Sequence, residues 1–294
     1  MGFGTPQRHF RVTDSTNARA RELVEAGAPH GTVVTADEQT AGRGRQGRSW
    51  SAPPGKALLY SAVLRPLDER HLLLPLAVPL AGCEAAENLA PGIECAIKWP
   101  NDIWVEGRKL AGVLIEARFA QGGKAPAGVE GGGDPGETGG DWAVVGVGLN
   151  LTITRDEFPP ELRDTAISLL GALDGGRKSP RRCLAERPRQ GDSSREAAQH
   201  FTAKGGDRHS ARRLPTPHHA TAVLSRHLNR WVAAERDSVL AAWRSRDALR
   251  GREISWDGGA GIADGIEDSG DLRVVVAGGD RVVLGAGEVH LTVS

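Results

Sequence analysis

The chain has 294 residues, room for one large domain or a main domain with a small companion, which argues against a peptide-like or disulfide-dependent scaffold. Lys plus Arg and Asp plus Glu each number 37, so the formal net charge is zero and no global field exists to hold nucleic acid or an anionic membrane. Three cysteines, Cys83, Cys95 and Cys183, fit no zinc or redox spacing; they read as small buried apolar residues or bystanders in a reducing compartment.

Residues 1–13 lack the continuous apolar run of a secretory signal, and Pro6 breaks the myristoylation pattern that Gly2 suggests. The longest apolar stretch, 72–82, is interrupted by Pro75 and Pro79 and is too short to span a bilayer, so the expectation is a soluble, cytoplasmic protein. A short strand is predicted over 8–12, followed by a helix to about Gly27 with Asp14, Ser15 and Thr16 as caps. The β-branched run 32–36 reads as strand, and 58–64, 95–99, 109–117 and 143–151 complete a sheet with a helix over 74–89 packed on it. The fold class expected is α+β, an α/β layer with a mixed sheet and packed helices.

Two segments stand apart. Residues 122–141 carry nine glycines and almost nothing to bury, and are predicted to be a flexible surface loop. Residues 177–213 hold eleven Lys/Arg against four Asp/Glu with few large apolar groups, which favours a solvated insertion. Their basic excess suits RNA or an acidic partner, but a single aromatic, Phe201, is too few to supply stacking platforms among the charges. His200, His209, His218, His219 and His227 are too irregularly spaced to suggest a metal site. Beyond them, a single long helix is predicted over 220–246, burying a stripe from Val223 to Trp243 and ended by Gly251. Short runs at 253–256, 272–276, 281–284 and 289–293 then suggest a small SH3-like β-barrel. The expected division is a catalytic domain, 1–249, and the barrel, 250–294.

The chemistry concentrates after Thr40, where Gly42, Arg43, Gly44, Arg45, Gln46, Gly47 and Arg48 set three cations on a backbone with little side-chain bulk. Glycines let peptide N–H groups approach phosphate oxygens, and each arginine adds charge-assisted bonds worth about 1.5 to 3 kcal/mol. A polyphosphate or acyl phosphate suits such a loop; so does RNA, and so does plain solvent. The text nearly spells a P-loop, but the proline pair Pro53 and Pro54 follows where a helix must open. Gly146, Val147 and Gly148 begin a dinucleotide pattern that Leu151 breaks. Asn101 and Asp102, behind Trp99 and Pro100, could anchor a metal, orient an amine or fix a turn, and Lys109 stands where a strand becomes apolar.

Taken together, Asp14-Ser15-Thr16-Asn17, Glu38-Gln39-Thr40-Ala41 with the Gly/Arg loop and Trp50, Lys98-Trp99-Pro100-Asn101-Asp102, Arg108-Lys109-Leu110-Ala111-Gly112 and Gly146-Val147-Gly148-Leu149-Asn150 resemble the biotin protein ligases. The tail, through Gly287-Glu288-Val289-His290-Leu291, resembles that family's small C-terminal barrel. The resemblance implies ATP and biotin as substrates, with Mg²⁺ accompanying the triphosphate. Biotinyl-5'-AMP would form with release of pyrophosphate and pass to a lysine of a biotin carboxyl carrier domain of acetyl-CoA or a related carboxylase. It implies that Ser15, Thr16, Asn17 and Gln39 line the biotin pocket and that Arg43, Gly44 and Arg45 close over the adenylate. Lys109 would join the biotin carboxylate to the α-phosphate, Trp50 would stack on adenine, and Asn150 belongs to the binding set. Asp102 either accepts a bond from the carrier lysine or fixes the turn; metal ligands are not indicated. Gln46 stands where many members carry another arginine. Only about a dozen residues precede the first motif, so a DNA-binding domain is not expected; monomer and homodimer stay open. A lipoate-type acyl ligase and an RNA-binding protein using the Arg43 loop are the competing readings.

Overall fold

The computed structural model describes residues 2–118, 128–131, 140–175, 214–285, 287 and 289–291. The chain opens with β1 (Gln7–Thr13), α1 (Thr16–Glu25), β2 (Val33–Gln39) and β3 (Ala57–Leu64). It continues through α2 (Leu74–Leu89), β4 (Ala96–Lys98), β5 (Asp102–Val105), β6 (Arg108–Arg118), β7 (Val129–Gly131) and β8 (Trp142–Asn150). Three helices follow, α3 (Leu169–Gly175), α4 (Pro217–Val232) and α5 (Arg236–Ser245). The remaining strands are β9 (Glu253–Trp256), β10 (Gly259–Ile266), β11 (Leu272–Val276), β12 (Arg281–Leu284) and β13 (Val289–Leu291).

The first eight strands make one mixed sheet in the order β1-β2-β3-β8-β6-β5-β4, with β7 paired to β6. Its centre, β3, β8 and β6, is a nearly continuous apolar text because both faces are covered. One face packs on α2 and α4, where Leu58, Leu76, Leu80, Ile103 and Ile115 are almost fully buried, each contributing about 1.5 to 3 kcal/mol. α1 covers part of the other face through Ala20 and Val24. The helical stretch Glu69–Leu89 has the length and composition to cross a membrane, longer than the 72–82 run suggested, yet 72% of its apolar window is buried as the core of this fold. Cys83 and Cys95 are buried free thiols, and burial pushes the Cys83 thiol up; Cys183 lies outside the described residues.

Several expectations change. The single helix over 220–246 is two helices: the backbone leaves the helical region at Glu235 (ψ 144°), and the two apolar stripes keep one phase, so periodicity could not reveal the break. Gly251 does not end it, since α5 stops at Ser245 and residues 246–248 instead bond to Ile97. The tail is a five-stranded antiparallel sheet, β12-β11-β10-β9-β13, whose end strands do not pair among the described residues, so the barrel is not closed there. Its longest strand, β10, was hidden by glycines that read as turns. Within 122–141 the flexible-loop expectation fails at Val129–Gly131, which pairs with β6; residues 122–127 and 132–139 lie outside the description, as do 177–213 with His200 and His209.

The second sheet shares the core of the first. Ile254, Leu272 and Val289 join the main apolar cluster, and the Trp99 indole donates to the Gly270 carbonyl at 3.0 Å. Residues of the tail therefore reach the edge of the first sheet's cleft.

Candidate functional site

A cleft of about 520 Å³ lies over the β6–β8 centre of the sheet, opposite α2. It is walled by the N-terminus of α1, the end of β2, the Gly/Arg loop, the start of β5 and, from the second sheet, His290. All of Ser15, Thr16, Asn17, Gln39, Arg43, Gly44, Arg45, Trp50, Asp102, Lys109 and Asn150 line it, so five distant motifs converge on one space. Arg48 and Asn101, singled out in the sequence, line it as well, and so do side chains to which the sequence reading gave no individual role, among them Lys98, Trp104 and His290.

The floor is made of glycine for a steric reason. A Cβ on Gly148 would stand 2.4 Å from Trp50 Cε2, and one on Gly146 would stand 2.2 Å from Asn17 Oδ1. Neither distance is tolerable, so only hydrogen at these strand positions lets an indole and an amide lie on the sheet. Gly148→Ala should displace Trp50, lower the melting temperature through overpacking of about 1 to 3 kcal/mol, and block ligands that use the floor. Thermal denaturation of the variant with and without biotin checks this; a normal melting temperature together with a normal biotin-induced rise would show that Trp50 does not need its place.

At one end the walls are polar and buried. Thr16 donates to Gln39 Oε1 from both its backbone N–H (2.7 Å) and its hydroxyl (3.0 Å). Ser61, fully buried on β3, has its hydroxyl 2.8 Å from Thr16 Oγ1 and 2.6 Å from Asn17 Oδ1. Groups this buried must be hydrogen-bonded, and the network fixes their directions. Ser61 and the carboxylate of Glu116, which accepts from Asn17 Nδ2 at 2.9 Å, are the functional-site residues that sequence reading passed over. A charge in the apolar run 111–117 was the available signal for Glu116.

At the other end the walls are cationic. Among the described lining residues, Arg43, Arg45, Arg48, Lys98 and Lys109 stand with one carboxylate, Asp102. The Lys109 ammonium lies 2.7 Å from Asp102 Oδ1 and 5.7 Å from the centre of the Trp50 ring. Its backbone is clamped on both sides, donating to Thr165 and accepting from Ile167, so the side chain enters the cleft from a fixed root. Asp102 is thus engaged by Lys109 at the first position of β5, directly after the 99–101 turn. Asn150 is buried and donates to the Ile167 carbonyl at 3.0 Å. Among the described residues no group of three or more His, Cys, Asp or Glu is placed to hold a metal ion, and Asp102 pairs with Lys109.

The Gly/Arg loop is folded back on itself over the cleft. Gly44 N–H donates to the Arg48 carbonyl at 2.7 Å, Trp50 N–H to the Gly42 carbonyl at 2.9 Å, and Gln46, in the left-handed region at φ 55°, donates from its backbone to Glu130 at 3.0 Å. Arg45 is 93% buried for all its charge, with Nη1 3.4 Å from Asn101 Oδ1, while the half-exposed Arg43 pairs with Glu116 at 3.2 Å. The geometry suits a ligand with an uncharged polar head at the Thr16–Asn17 end and a concentrated negative charge between Lys109 and the loop.

Comparison with known proteins agrees with this arrangement. Residues 9–131 match the model of the biotin/lipoate A/B protein ligase family. The bifunctional ligase/repressor BirA of Bacillus spizizenii is 38% identical over 164 residues, 54% of this chain and 44% of that protein, so the chain spans under half the length of that relative. The biotin acetyl-CoA-carboxylase ligase of Mycobacterium tuberculosis is 32% identical over 306 residues, covering 99% of this chain and 92% of the relative. Among solved structures, the biotin protein ligase of Aquifex aeolicus in complex with biotin and ATP has a TM-score of 0.65 at 24% identity, covering 99% of this chain and all of that one, and shares the fold. With near-complete coverage by the mycobacterial relative and every motif gathered in one cleft, the chain belongs to the biotin protein ligase family.

Proposed function

We propose that the protein activates biotin with ATP to biotinyl-5'-AMP and transfers the biotinyl group to a lysine of a biotin carboxyl carrier domain of acetyl-CoA carboxylase or a related enzyme. The observation that carries this reading is Lys109, a fixed cation between the polar end of the cleft and the arginine loop. A biotin carboxylate oxygen and the α-phosphorus of ATP must meet although both partners are anionic. Lys109 and Arg43 compensate that charge and align the two groups, which is most of what the first step requires. The carboxylate oxygen attacks phosphorus, and the bond to pyrophosphate breaks. Thr16, Asn17 and Gln39 satisfy the ureido ring, Ser15 caps the same wall, and Gly44 and Arg45 close over the adenylate with Asn150 behind it. Trp50 offers an aromatic surface to adenine. Mg²⁺ enters as part of the nucleotide substrate.

In the second step a neutral carrier amine attacks the acyl carbon and AMP leaves with the former carboxyl oxygen. Asp102, released from Lys109 once that cation holds the substrate's phosphate, is the acceptor for the proton that the carrier lysine's ammonium loses to become that neutral amine. Residues 1–249 would then form the catalytic domain and 250–294 an accessory domain reaching the site through His290, and the reaction would run in the cytoplasm. Biotin-dependent exchange of labelled pyrophosphate into ATP tests the proposal, run beside the lipoate-dependent reaction. A lipoyl dithiolane has no N–H or C=O for the Thr16–Asn17–Gln39 wall, so lipoate is expected to support less than about a hundredth of the biotin rate. Exchange with lipoate alone would reassign the substrate, and RNA binding at physiological salt without exchange would reassign the class.

A further inference from the structure

Glu116 lies toward the end of β6 with 2% of its surface exposed, outside the lining of the cleft, yet it bonds to two residues that form it. Oε2 accepts from Asn17 Nδ2 at 2.9 Å; Oε1 faces Arg43 Nη1 at 3.2 Å and Arg21 Nη1 at 3.9 Å. A buried carboxylate is costly unless paired, and Arg43 with Arg21 provides that compensation. What remains to explain is why a charge is kept there at all.

The orientation of Asn17 supplies the reason. An ionised carboxylate only accepts hydrogen bonds, so the end of the Asn17 amide turned to Glu116 has to be the NH₂. Its second N–H points to the Leu114 carbonyl at 3.4 Å, and Oδ1 then faces Ser61 Oγ at 2.6 Å. Both amide hydrogens are consumed inside the protein, which leaves one lone pair of Oδ1 as the polar capacity that Asn17 offers to the cleft. A ureido ring presents N–H groups that need such an acceptor; a flipped Asn17 would present N–H to N–H. We propose that Glu116 is a positioning residue that locks the Asn17 amide with its oxygen toward the cleft and so selects a ligand bearing N–H donors; this rests on the assignment of biotin to that end of the site.

Glu116→Gln keeps the shape but replaces one acceptor oxygen by a donor, so the Asn17 amide loses its lock. The biotin KM in pyrophosphate exchange is expected to rise about 10- to 100-fold with kcat changed less than threefold, the range for loss of a hydrogen bond to a charged group. The decisive comparison is made in an Asn17→Ala background, where Glu116→Gln should change the biotin KM less than twofold because the residue it acts through is gone. A merely structural role for Glu116 predicts the same rise in both backgrounds, and that result overturns the proposal, as does an unchanged KM in the single variant. If Glu116→Gln does not fold, Glu116→Asp, which retains the acceptor set on a shorter arm, carries the same paired comparison. Wild type without biotin-dependent exchange would sink the biotin reading itself, whereas active wild type with no coupling between Glu116 and Asn17 sinks the positioning role alone.

Discussion

Lys109→Ala is expected to lower biotin-dependent pyrophosphate exchange by about 100-fold or more while leaving the fold intact. Removing one preorganised donor that meets developing charge costs on the order of 2.7 to 4 kcal/mol, or about two to three decades in rate. Other cations line the cleft, but Arg43 also pairs with Glu116 and Arg45 lies against Asn101, so neither replaces a side chain rooted between β5 and the 165–167 segment. Folding should be spared: the Lys109 side chain is a third exposed, its ion pair with Asp102 is of the kind worth about 1 kcal/mol or less, and its backbone bonds to Thr165 and Ile167 survive truncation. Exchange kinetics beside a melting curve check this. A folded variant with near-normal exchange would remove Lys109 from the mechanism.

The motifs of this site were legible because each is short and needs residue types that local sequence displays. Lys98 to Asp102, Arg108 to Gly112 and Gly146 to Asn150 belong to neighbouring strands β4, β5, β6 and β8, so three separate texts land side by side once the sheet forms. The supporting residues were not legible for the opposite reason. Ser61 looks like one small residue in an apolar strand, and Glu116 like an anomaly at the end of another; their meaning lies in partners 44 and 99 positions away in sequence. The same limit hid the break between α4 and α5, where two helices in phase mimic one, and the strand β10, whose glycines imitate turns. Trp50 shows an intermediate case: the sequence marked it as a ligand contact, but that its ring needs Gly148 beneath it could only be seen once β8 was in place.

Arg45→Gly is expected to uncouple the making of the activated acyl group from its retention. Biotinyl-5'-AMP is a mixed anhydride that reacts with any amine it meets, so it must stay covered until the carrier lysine arrives. Arg45 is suited to hold the cover because its side chain is buried in the cleft wall beside Asn101 while its backbone is part of the folded-back loop, closed by the Arg48 N–H donating to the Arg45 carbonyl at 3.2 Å. Glycine removes a charge-assisted contact worth about 1.5 to 3 kcal/mol and frees the backbone at the same point. At about 1.4 kcal/mol per decade, the adenylate should leave roughly 10- to 100-fold faster. Its formation should persist, since Lys109 and Arg43, the cations proposed to align the carboxylate and the α-phosphate, still line the cleft. The variant should then label bystander proteins. Biotin incorporated into an unrelated protein such as serum albumin, counted per adenylate formed, is the measure. If Arg45→Gly keeps adenylation but labels the bystander no more than wild type, the loop does not retain the intermediate and its arginine serves only the first step.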